Sequence, residues 1–323
     1  MTVRTLKNLV RSLIHAALCC GALATCAAEE ELDNPPAHGG NRRAIIVCGL
    51  PGDAEHRQVF GDLVEKFYAA LTTRLGFLPE HTLVLFSDET TEKDGPALRA
   101  SRGPATREKL AETVEELVAS LEPDDAMWVF VLGHTHFDGR FSWLNLPGPD
   151  VNQAEFSRLF AAAACREQVF FMTTPASGFF IKPLAAPGRI VIAATEADAE
   201  VNETLFPHKL AAALASPPPM AEFDVDGDGQ PTLLDVYLWS ARETAQDYSS
   251  NELLATEHAL LDDDGDGRGS EVQLDYLSQE LGGRLRAGRK PTPRPGDGAR
   301  ARAIPLPMPA EASPPEQPPA ESP

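Results

Sequence analysis

Five short, uninterrupted apolar runs separated by stretches of helical periodicity constrain this chain more than any other feature. They are Ala44-Ile45-Ile46-Val47, Thr82-Leu83-Val84-Leu85-Phe86, Met127 to Leu132, Val169 to Met172 and Arg189 to Ala193. Strict apolar/polar alternation would mark strands with one wet face, whereas continuous runs mark strands buried on both. Between the runs, Val59, Phe60, Leu63, Val64, Phe67 and Leu71 recur at helical spacing, as do Leu110, Val114, Leu117, Val118 and Leu121, and Glu155 to Ala164 reads as a third helix. This order predicts an α/β fold, a parallel sheet with helices on both faces. Functional loops in such sheets leave the C-terminal strand ends. The loops to examine are therefore Cys48 to Gly52, Gly133 to Gly139 and Thr173 to Gly178.

The two ends fall outside this pattern. Arg4, Lys7 and Arg11 precede an apolar run from Leu13 to Thr25 that closes on the small residues Ala27-Ala28, the layout of a secretory signal peptide. The run is too short to span a bilayer comfortably. Leu23-Ala24-Thr25-Cys26 offers an alternative, a lipid anchor at Cys26. Export to the periplasm or the extracellular space is the expectation, with no transmembrane span in the mature chain. Loss of residues 1–28 removes three basic and no acidic residues, so the formal charge of −20 becomes −23 and the acidity belongs to the mature protein. That charge excludes a generic nucleic-acid binder. Only Cys48 and Cys165 remain of five cysteines, enough for one pair but not for a disulfide framework, and Cys48 reads as a buried thiol. Residues 283–323 hold 11 of the 28 prolines together with Arg284, Arg286, Arg289, Lys290 and Arg294, and without apolar periodicity they read as a disordered tail.

The strand-end loops carry a resemblance. Val131-Leu132-Gly133-His134-Thr135-His136 resembles the strand-end histidine motif of caspase- and legumain-like cysteine peptidases, with His134 at the catalytic histidine. Thr173-Thr174-Pro175-Ala176-Ser177-Gly178 is similar to their nucleophile loop, and anchoring on Ser177-Gly178 puts Pro175 at the nucleophile position. Ala54-Glu55-His56-Arg57-Gln58 and Ile190 to Thr195 are similar to neighbouring parts of those families, so the resemblance spans roughly residues 43–215. It implies a caspase-like fold and a peptide-binding groove for an unidentified protein or peptide ligand. It also implies an inactive site. Pro175 has no thiol for His134 to activate, and the oxyanion hole that the resemblance places at this residue needs an N–H that proline lacks. Thr135 stands where those families carry glycine.

Two alternatives would keep a hydrolase. Ser177 would act as nucleophile with His134 as base, although no third residue is nominated to orient the histidine. Otherwise His134, His136 and Asp138, spaced by two along an extended segment, would hold a metal.

Two aspartate-rich loops are the strongest chemical signal. Asp224-Val225-Asp226-Gly227-Asp228-Gly229-Gln230-Pro231-Thr232-Leu233-Leu234-Asp235 follows EF-hand spacing, with oxygens from Asp224, Asp226, Asp228, the Gln230 carbonyl, Thr232 and Asp235, and glycine where the loop turns sharply. Pro231 removes the N–H that pairs two such loops, so an ordinary EF-hand pair is not expected. A second loop repeats the pattern through Asp262, Asp264, Asp266, Arg268 and Ser270. Gln273 holds its twelfth position, and Glu271, two residues early, is the candidate substitute. Ca2+ is the expected cofactor. Leu233, Val236, Leu238, Trp239, Ala241, Leu253, Leu254 and Leu260 read as helices packing back on the sheet.

The expected organisation is therefore a leader over 1–28, a linker over 29–42, an α/β domain over 43–216, an Asp-rich helical region over 217–282 and a tail over 283–323.

Overall fold

The computed structural model describes residues 40–198, 200–278, 283–284 and 296–308. The leader with Cys26, nearly all of the linker and most of the tail lie outside the described residues.

Six strands form the central sheet in the order β2-β1-β3-β7-β8-β9. β1 (Arg42–Cys48), β2 (Thr82–Phe86), β3 (Ala126–Leu132), β7 (Glu167–Met172) and β8 (Arg189–Ala193) are parallel, and each matches one of the five apolar runs. β9 (Leu260–Asp262) closes one edge antiparallel to β8, with Val191 opposite Asp262. Three short strands after β3 make a separate antiparallel sheet, β4 (Thr135–Phe137), β5 (Ser142–Leu144) and β6 (Val151–Asn152).

Both faces of the sheet are dry, and the two-residue period divides them cleanly. The register row Val84, Ile46, Phe130, Phe171, Ile192 points to one side, and the adjacent row Leu83, Ile45, Val129, Phe170, Val191 to the other. The first row packs under α1 (Ala54–Ala69), α4 (Phe206–Ala215) and α5 (Leu233–Ser250); the second packs under α2 (Arg107–Ala119) and α3 (Gln153–Leu159). Phe130 stacks on Phe171 at 4.4 Å and meets Phe67 of α1 at 4.8 Å. Each of these fully buried rings contributes on the order of 2–3 kcal/mol of transfer free energy. Trp128 is buried among them, and its indole N–H donates to Glu167 at 2.6 Å, which removes the cost of an orphaned donor.

Beyond residue 216 the chain supplies a helix, as the periodicity predicts, and also a strand. α5 places Leu233, Leu234, Val236, Tyr237 and Leu238 in the core cluster that contains Ile190 and Ile192 of β8. Leu260 belongs to β9 rather than to a helix, and Leu253 and Leu254 are exposed on the segment leading to it. Three apolar residues without a period long enough to separate helix from strand account for that misreading.

The tail expectation also fails in part. Residues 296–308 are folded: they form α6 (Ala299–Arg302) and bury Ala301, Ile304 and Leu306. Leu233 N–H donates to the Ile304 carbonyl at 2.9 Å and Leu306 N–H to the Pro231 carbonyl at 2.8 Å, so the segment straps the start of α5. Apolar residues spaced between prolines give no periodic signal, which is why composition alone pointed to disorder.

Candidate metal centre and strand-end loops

The strand-end loops come together as the fold rule requires. Gly133 has φ +115°, and a Cβ there would lie 3.0 Å from the Gly49 backbone, so the loops after β1 and β3 cross at a point only glycine fits. Immediately after it, His134 is half-buried with Nε2 3.0 Å from the Pro51 carbonyl, and its ring packs against Phe60 and His56 at 5.2 and 4.9 Å. His56 sits 2.8 Å from the Asp53 carboxylate through Nδ1, and that hydrogen bond raises its pKa. His134 and Pro175 line one small cavity with Phe60, Thr173 and Glu203. Its volume is about 10 Å³, roughly the ~10–15 Å³ that a single water needs. The Thr135 hydroxyl donates to the Pro175 carbonyl.

Neither hydrolase alternative finds its geometry. Ser177 is fully buried; its Oγ accepts the N–H groups of Ala194 and Thr195 at 3.0 and 3.2 Å and contacts the Thr195 hydroxyl, so it braces the turn after β7 and offers no exposed nucleophile. His134, His136 and Asp138 do not converge. His136 Nδ1 pairs with Asn145 at 2.7 Å, while Asp138 accepts Arg140 N–H, Phe141 N–H and the Trp143 indole, each at 2.8 Å. His136 and Asp138 both meet Trp143, whereas His134, which precedes β4, is turned to the Pro51 carbonyl. Cys48 and Cys165 are both free; burial pushes the Cys48 thiol up, and pushes Cys165 up to about 11.

The first aspartate loop does converge. Carboxylate oxygens of Asp224, Asp226 and Asp235 lie within 4.8 Å of one another. Oxygens held about 2.4 Å from a calcium ion on opposite sides are about 4.8 Å apart. Asp224 is aimed by the N–H groups of Gly227, Asp228 and Gly229 at 2.9, 3.1 and 3.1 Å, and Gly229 reaches this position with φ +85°. Asp235, in the first turn of α5, is fully buried; it accepts Val225 N–H at 2.9 Å and the N–H and hydroxyl of Thr232 at 3.0 and 2.9 Å. Burial, followed by the nearby Asp226 charge, pushes its pKa up to about 7. Asp228 is outside the cluster: one oxygen accepts Gln230 N–H at 2.8 Å and the other lies 3.8 Å from Arg302. Thr232 buries its hydroxyl against Asp235, and Gln230 is exposed.

Among the described residues one other such group exists, Asp262, Asp264 and Asp297. Asp262 ends β9 and is fully buried, with its pKa pushed up to about 6, chiefly by burial. Asp266 turns back to accept Arg268 N–H at 2.7 Å and the Ser270 hydroxyl donates to Asp297 at 2.5 Å. Arg268 is exposed, and Glu271 lines a different cavity with Glu196 and His258.

Asp297 and Arg302 are the residues that spacing rules missed. Arg302 lies on the first loop, with Nε 2.7 Å from Asp226 and its guanidinium 5.6 Å from the Tyr276 ring centre. The available signal for Asp297 was its sign: it is the sole acidic residue between positions 281 and 310, set between two glycines in an otherwise basic stretch.

No family model matches the chain, and no curated protein matches it. Among solved structures it is similar to the crystal structure of drICE, with a TM-score of 0.41 and 11% identity over 70% of this chain and 89% of that one. It is also similar to the Drosophila initiator caspase Dronc, with a TM-score of 0.39 and 10% identity over 71% and 81%. The architecture described above rests on the sheet order and register of this chain itself.

Proposed function

We propose that this is an exported calcium-binding protein whose caspase-like α/β domain lacks peptidase chemistry and serves as a binding or scaffold module for a protein or peptide partner. The observation that carries the calcium reading is the fully buried Asp235 carboxylate, held by α5 within 4.8 Å of Asp224 and Asp226. Three carboxylates in that space repel one another, and a hard cation removes the repulsion while supplying the charge that desolvation demands. The Asp-Gly turns aim their oxygens without using every lone pair.

The inactive reading is supported by Pro175, by the buried Ser177 hydroxyl and by a cavity of about 10 Å³ at His134. Export is supported by residues 1–28 and expects an intact mass beginning near Glu29; a mature chain that keeps Arg4 to Arg11 would contradict it.

The test of the calcium reading is the thermal midpoint of the chain with calcium against chelator, because a ligand that binds only the folded state raises it. The rise should be largely lost in Asp224→Ala. Equal midpoints in the parent chain would refute the reading.

A further inference from the structure

We propose that the second aspartate loop binds its own divalent cation and that Asp297, from the C-terminal segment, is the carboxylate that closes the site in place of Glu271. The inference rests on the calcium reading above and adds to it a residue that loop spacing does not reach.

The observation that points to a ligand is Asp262. Its side chain is fully buried; Oδ1 accepts Gly265 N–H at 3.0 Å, and Oδ2 has no hydrogen-bond partner among the described residues. A native fold rarely leaves a buried carboxylate oxygen unsatisfied, since such a group costs its full desolvation. A cation is the partner this location supplies. Oxygens of Asp262, Asp264 and Asp297 lie within 4.8 Å of one another, and a Cβ on Gly296 would sit 4.0 Å from Asp264 Oδ2, so the C-terminal turn runs directly against the loop.

The turn is fixed there by the third aspartate of the run. Asp263 points away from the cluster, and its carboxylate accepts Gly298 N–H at 2.9 Å and Ala301 N–H at 2.8 Å. Its own N–H donates to Asp297 Oδ1 at 2.9 Å, while the Ser270 hydroxyl holds Oδ2. The outer aspartates of Asp262-Asp263-Asp264 thus face the cation and the middle one holds the segment that completes its shell. An all-oxygen shell of this irregular kind suits calcium, which tolerates variable geometry, better than magnesium. Metal binding at this site ties residues 296–308 to the edge strand β9, and the same segment carries Arg302 to the first loop.

The test is calorimetric titration with CaCl2 of the metal-stripped chain and of four variants. The parent should show two sites. Asp297→Asn keeps an acceptor for Asp263 N–H and should weaken the second site at least tenfold, as should Asp264→Asn at an exposed side chain. Glu271→Gln should retain both sites, and Asp235→Asn should retain the second alone. Undiminished second-site binding in Asp297→Asn, or its loss in Glu271→Gln, would overturn the inference and leave the calcium reading standing. So would a parent chain whose only site disappears in Asp235→Asn. If Asp297→Asn does not fold, the contrast between Asp264→Asn and Glu271→Gln decides: loss in both favours Glu271. Absence of any binding by the parent overturns both readings together.

Discussion

Replacing Glu257 by glutamine should abolish a component of pH-dependent stability whose size follows from the packing of α4 against α5. Glu257 is 5% exposed. Its carboxylate accepts Leu205 N–H at 2.6 Å and Phe206 N–H at 3.1 Å at the start of α4, and the Tyr248 hydroxyl of α5 at 3.0 Å. Burial outweighs these bonds and pushes its pKa from 4.5 up to about 7. A carboxyl whose pKa is raised on folding holds its proton more tightly in the native state than in the unfolded one. Its stabilising effect is therefore complete below about pH 4.5 and lost as the pH rises through about 7. At about 1.4 kcal/mol per unit, the change across that window is on the order of 3 kcal/mol. The assay is urea unfolding of the parent and of Glu257→Gln at a series of pH values from 4.5 to 8, in chelator so that metal binding does not contribute. Glutamine cannot accept both backbone N–H groups, so a constant offset is expected. The informative quantity is the difference between the two curves, which should shift by about 2–3 kcal/mol against the parent as pH rises. Parallel curves would refute the assignment.

Arg302→Ala should raise the calcium affinity of the first loop about fivefold, because the guanidinium 2.7 Å from the buried Asp226 carboxylate competes with the cation and an ion pair with its cation partly in water is worth about 1 kcal/mol; unchanged or weaker affinity in a titration would contradict the competition. Pro175→Cys should leave the protein unable to cleave peptides after Asn, Asp or basic residues and unreactive toward thiol-directed peptide probes, since His134 Nε2 is engaged by the Pro51 carbonyl at 3.0 Å and the Thr135 hydroxyl by the carbonyl of residue 175. Labelling of that variant that disappears in His134→Ala would overturn this reading.

How far the sequence discloses this protein depends on whether the signal is local. The five apolar runs became five parallel strands because a strand dry on both faces has no alternative to a continuous apolar sequence. Gly133 and His134 fell at a strand end for the same reason. The first aspartate loop was legible because Asp224, Asp226 and Asp235 lie within twelve residues and a fixed turn converts their spacing into convergence. Asp228 lies outside the group of three, and one of its oxygens is 3.8 Å from Arg302, a contact from far along the chain that spacing does not encode. Strand β9 turns the second loop so that Glu271 faces another cavity, and Asp297 reaches the loop through a tertiary contact that no spacing rule encodes. His134, His136 and Asp138 show the opposite failure: alternation predicts one face only within a continuous strand, and β4 begins at Thr135, after Gly133 at φ +115° and after His134.

The most direct test of the account is calorimetric titration of calcium into the metal-stripped protein, repeated on Asp224→Ala. The account predicts saturable binding with dissociation constants on the order of 10⁻⁵ to 10⁻³ M, the range of weak extracellular modules, and loss of the first-loop component in the variant. A titration without binding heat, together with a thermal midpoint that calcium does not move, would contradict it.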